Sequence, residues 1–186
     1  MALSHEDLLH GATIINLLRE IAKLDEDIVY KIKFDGTKAA YQIIFSHETR
    51  KGLLKIGFFL KHSRKRISPW RYTFTNDHQQ EIETLDKEND YVFVLLITDQ
   101  EGVAVLNSQL LKSLLDNNSY ETGSISISRK HGENYRVNGS KVRLNKALPK
   151  NNFPSSIADV VIAYLKRKQS KRKLLLKYFK YLVERD

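Results

Sequence analysis

YVFVLLIT, residues Tyr91–Thr98, is a continuous apolar run rather than an alternating one. A strand of that pattern is covered on both faces, so the run predicts the middle of a sheet with further layers on either side. The segments around it supply the rest of such a sheet. Ile28–Phe34 (IVYKIKF) alternates, Asp35 and Gly36 mark a turn, and Ala39–Phe45 (AAYQIIF) returns as a second strand. Leu53–Lys61 (LLKIGFFLK) predicts a third strand and Trp70–Phe74 (WRYTF) a short fourth. After Thr98, Asp99–Gly102 reads as a hairpin turn into Val103–Leu106, and SISIS and NYRVN pair about a turn at Lys130–Glu133.

Helices frame these strands. Ser4 is a good cap, Glu6 and Asp7 suit the positive end of a helix dipole, and Leu8, Leu9, Ala12, Ile15, Leu18 and Ala22 recur at helical spacing. They predict one amphipathic helix from Ser4 to about Leu24. Asn76 and Asp77 start a short helix containing Ile82 and Leu85, and Ser108 caps another through Leu115. KALPKNNFPSS, Lys146–Ser156, holds two of the three prolines and reads as a loop; two helical stretches, Ile157–Lys168 and Lys173–Arg185, follow it. The expected organisation is an α+β domain over residues 1–150, with a central mixed sheet flanked by helices, and a basic helical C-terminal extension over 151–186.

With 41% hydrophobic residues among 186, the chain can bury a substantial core. No stretch reaches the roughly 18 apolar residues of a membrane span, and the start, MALSHEDLLHG, carries acids where a secretory signal has lysines. A cytoplasmic, bacterial protein is expected. The absence of cysteine excludes disulfides, thiolate metal sites and a cysteine nucleophile. Glycines are dispersed, with no phosphate-cradling or dinucleotide pattern, and no serine sits in a nucleophile elbow. His5 and His10 are five apart and do not face each other on a helix, while His47, His62, His78 and His131 stand alone in the sequence. No metal ligands can be assigned from them.

The formal charge of +9 is unevenly placed. Lys166–Asp186 carries nine basic residues against two acids, and Thr49–Asn76 carries eight with no acid. Clustered charge makes a directed field, so these blocks point to a polyanion partner, DNA or RNA. Arg64, Lys65, Arg66 and Arg71 are the candidate phosphate contacts of the first block, with Trp70 beside them for stacking on bases. If the aromatic face of WRYTF is the buried one, only the arginines are left to meet a ligand. Lys166, Arg167, Lys168, Lys171, Arg172 and Lys173 are the candidates of the second block. The apolar stripe of the last helix, Leu174, Leu175, Tyr178 and Leu182, also suits docking on the body, a protein partner, a second copy or an anionic membrane surface.

The order helix, three strands, helix, buried strand over about Ser4 to Leu106 resembles the PD-(D/E)xK superfamily of restriction-endonuclease-like nucleases. That resemblance implies carboxylates holding magnesium, with a lysine near the end of the third strand, where Lys61 stands. It also implies an acid two residues before the lysine, where this chain has Phe59. A displaced site would draw on Glu20, Asp35, Glu48 and Lys61; Glu6 is a further acid on the first helix. GATIINLL, SPWRYTF and DQEGVAVL also resemble an uncharacterised bacterial family, which implies no function. The leading expectation is therefore a nucleic-acid-binding protein on a nuclease-like core, with no cofactor, and by analogy linked to phage defence or mobile elements. The alternatives are an active magnesium-dependent nuclease and a protein-partner-binding module.

Overall fold

The structure, a computed structural model, describes residues 2–34, 37, 39–47, 52–115, 122–140 and 142–166. Helix α1 (His5–Ala22) begins where Ser4 Oγ accepts the Asp7 N–H at 3.1 Å and Asp7 accepts the Ser4 N–H at 2.9 Å, a reciprocal capping box. Its buried residues, His10, Thr13, Ile14, Leu17, Leu18 and Ile21, recur every three or four positions and form one stripe.

Strands β1 (Ile28–Phe34), β2 (Ala40–His47), β3 (Leu54–His62), β5 (Tyr91–Ile97) and β6 (Val103–Asn107) form the main sheet in the order β1-β2-β3-β5-β6. All neighbours are antiparallel except β3 and β5, so β1, β3 and β5 point one way and β2 and β6 the other. The C-terminal ends of β1, β3 and β5 thus share one edge. The fold is α+β, with a central mixed sheet flanked by helices.

β5 lies in the interior as its unbroken apolar run predicts: Val92, Val94 and Leu96 face one core and Phe93, Leu95 and Ile97 the other. Helix α1 and a helix over 152–166, α4, cover the second of these faces, α4 through Ile157, Val161 and Leu165. The first is covered by α2 (Asn76–Glu88), α3 (Ser108–Leu115) and a second sheet. That sheet has the order β4-β7-β8, from β4 (Trp70–Phe74), β7 (Gly123–Ser128) and β8 (Arg136–Asn138).

Two expectations change. WRYTF does not extend the main sheet; it pairs antiparallel with β7, Trp70 opposite Ile127, and forms part of a cover. The expected loop over Lys146–Ser156 ends early, because α4 begins at residue 152 and Pro154 falls in its first turn, where a missing N–H costs the helix nothing. The packed domain therefore runs past residue 150. Among the described residues no helix is long and apolar enough to cross a membrane. The last helical stretch, Lys173–Arg185, lies outside the described residues.

Candidate functional site

Alternation at the end of β3 sends Lys61 and His62 to opposite faces of the main sheet. Lys61 follows Phe59 onto the α2 side. Its Nζ lies 5.4 Å from the centre of the Phe74 ring and 3.3 and 3.5 Å from the two ring nitrogens of His78. His78 is the third residue of α2, and the same Nδ1 accepts the Thr75 backbone N–H at 3.1 Å while Thr75 Oγ1 accepts the His78 N–H at 3.4 Å. A histidine thus takes the place of the usual Glu or Gln in a capping box. Burial pulls the Lys61 ammonium below its ordinary pKa, partly offset by the nearby Glu6 carboxylate. Burial, and then the Lys61 charge, pull His78 down as well, with Asp77 opposing.

His62 points to the α1 side. There Glu6 and His10, one helical turn apart, meet it: Glu6 Oε1 is 3.9 Å from His10 Nε2 and 3.9 Å from His62 Nδ1. The rings of His5 and His10 stand edge-on to that of His62, at 6.3 and 6.2 Å. Tyr41 of β2 places its hydroxyl 3.2 Å from His10 Nδ1. Residues that stand alone in the sequence are brought together here, because the fold lays the end of β3 against the first turns of α1. A second group able to hold a metal, Asp25, Asp27 and His47, lies at the opposite edge, where β2 ends.

Beyond His62 the chain turns through Arg64, Lys65 and Arg66, all exposed, before Arg71 emerges from β4 on its outward face. His62, Ser63, Arg64, Lys65, Pro69 and Arg71 line an open pocket of about 420 Å³, and no carboxylate is among the described residues that line it. Ser68 Oγ accepts the Arg129 N–H at 3.1 Å and ties the turn to the second sheet. Comparison with protein families, curated proteins and solved structures found no match to this chain.

Several sequence-predicted positions do not join this edge. Trp70 is 1% exposed within the core cluster between the sheets, so it cannot stack on a base; the aromatic face of β4 is the buried one and Arg71 the outward residue. Glu20 is fourteen residues along α1 from Glu6, about 21 Å at the rise of a helix, and pairs with Lys23 at 2.5 Å. Glu6 is the acid of α1 that reaches the edge. Phe59, where the nuclease resemblance expects an acid, is fully buried between Phe74 and His78. Lys166 is exposed near the other end of β3: Tyr164, two residues before it, donates to the Gly52 carbonyl at 2.8 Å. Arg129, not among the sequence candidates, is tied to the turn by its backbone N–H, but its guanidinium is committed to Glu101, 2.8 Å from the carboxylate, and stacked on Tyr135. Asp35, Glu48, Arg167, Lys168, Lys171, Arg172 and Lys173 lie outside the described residues.

Proposed function

We propose that the chain binds nucleic acid through the edge of the main sheet where β3 ends. The observation that carries this reading is the pocket lined by Arg64, Lys65, Arg71 and His62, with no acid among its described residues. Such a wall offers a phosphate several donors, with the Glu6 carboxylate set behind it, 3.9 Å from His62. Arg66 extends it outward, and Lys61 stands behind it. The order of elements from α1 to β5 supports a nuclease-like core for this surface, and the buried Phe59 weighs against an intact metal-and-lysine motif.

A second reading is metal-dependent phosphodiester hydrolysis at the same edge. Its support is the Glu6 carboxylate, close enough to Lys61 to offset part of the lowering that burial imposes and placed beside His62.

Fluorescence anisotropy with labelled single- and double-stranded DNA and RNA tests binding. Affinity should fall steeply with salt, because each neutralised phosphate releases counterions; six contacts or more give a loss of about 10³-fold or greater between 50 and 200 mM. No binding at low salt, or binding indifferent to salt, contradicts the proposal. Hydrolysis, if present, requires a divalent ion and disappears in Lys61→Ala and Glu6→Gln; cleavage surviving both substitutions rejects the second reading.

A further inference from the structure

We infer that Glu6, His10 and His62 form a binding site for a single divalent transition-metal ion, with zinc the best match. Their three ligand atoms, one from each side chain, lie within 4.8 Å of one another. Bonds of about 2.0–2.1 Å in a tetrahedral shell put ligand atoms about 3.3 Å apart, so side-chain shifts of about 1 Å close the set onto an ion. Two imidazoles and one carboxylate suit zinc, cobalt or nickel; magnesium, which demands oxygen ligands, is a poor fit.

The surroundings are those of a ligand set rather than a chance meeting of surface side chains. His10 has a side chain only 3% exposed, His62 18% and Glu6 40%, so the cluster is walled on the sheet side and open on the other. An ion on His10 Nε2 leaves Nδ1 as the proton-bearing nitrogen, which then donates to Tyr41 Oη at 3.2 Å. Orientation of a metal-bound imidazole through its other nitrogen is the usual arrangement around such ions. The capping box at Ser4 and Asp7 fixes the turn that carries Glu6, and His62 is held in register by β5, opposite Ile97. Three protein ligands leave a coordination position unfilled, as in sites where the ion takes water or a substrate oxygen. The Asp25, Asp27 and His47 group has one imidazole, already 3.3 Å from Asp25, and Asp25 also accepts the Asp27 N–H at 3.0 Å; these contacts hold a turn.

The inference shares His62 with the proposed interface but does not require nucleic-acid binding, and it is tested without it. The full chain, free of any histidine tag and stripped with a chelator, is titrated with Co²⁺ followed by visible absorption and with Zn²⁺ by calorimetry. One ion should bind at micromolar concentration or below. Glu6→Gln and His62→Gln, both at partly exposed positions, should each weaken binding at least about 100-fold, and Tyr41→Phe, which removes only the orienting hydroxyl, about 10-fold. His47→Gln should leave the affinity unchanged, and circular dichroism should show all four variants folded. Failure of the folded parent chain to bind either ion overturns the inference. So does parental affinity in Glu6→Gln and His62→Gln, or loss of the ion in His47→Gln.

Discussion

His78 shows how much a single side chain does at this edge. Its Nδ1 accepts the Thr75 backbone N–H with the Lys61 ammonium 3.3 Å away, so protonating it turns an acceptor into a donor and opens the capping box of α2. Burial and the Lys61 charge hold its pKa below the ordinary value of about 6.5, and the unfolded chain therefore takes up the proton first. The stabilising contribution of neutral His78 is present above that value and is lost as pH falls through it towards the depressed one. Thermal denaturation between about pH 7.5 and 5.5 should show a steeper loss for the parent than for His78→Asn, whose side-chain oxygen still accepts; parallel curves contradict the assignment. Trp70 supports a second prediction. Trp70→Ala should cost about 3–5 kcal/mol in denaturant unfolding because it leaves a cavity between the two sheets, whereas loss of nucleic-acid binding at unchanged stability would restore a stacking role. At this scale the sequence is partly legible. Period-two alternation puts Trp70, Tyr72 and Phe74 on one face, and Phe59 is visibly not an acid, but Glu6 and His10 disclose their shared partner His62 only once β3 is laid against α1.

Among the elements, α1 carries the most. It covers one face of the sheet with Ile14, Leu17, Leu18 and Ile21 and presents Glu6 and His10 to His62. Ser4→Ala removes the side-chain half of its capping box and should cost about 1 kcal/mol by chemical denaturation. A change within a few tenths would mean that tertiary packing alone holds the first turn. The strands of the main sheet are legible in the sequence because each is bounded by turn formers and carries a clear apolar pattern. The misreadings have local causes. Pro154 resembles a loop residue but sits in the first turn of α4, and WRYTF follows a turn directly, so nothing in its five residues tells which sheet it joins. The hairpin into β6 was plain from DQEG: Gly102 adopts φ of +122° there, and a Cβ would fall 2.7 Å from the Tyr135 hydroxyl.

Across the whole molecule, the first basic block is spread over both ends of β3, with Lys55 at its start, and of the second block only Lys166 lies among the described residues. Arg64, Lys65 and Arg66 follow the C-terminal end of β3, while α4 brings Lys166 near Gly52 at its start, a strand of nine residues or about 26 Å away. Charge clustering in the sequence identifies the first block but not that a strand divides its residues between two ends of the sheet. The edge at Lys61 and His62 is where the pocket, the acid of α1 and the histidine cluster meet, so it is the surface on which the functional account rests. The most direct measurement is the salt dependence of nucleic-acid affinity in Arg64→Ala/Lys65→Ala/Arg66→Ala against the parent. Loss of three phosphate contacts should weaken binding and flatten the slope of log affinity against log salt by about 2–3 on duplex DNA. An unchanged slope with unchanged affinity would remove this edge from the interface and contradict the proposed function.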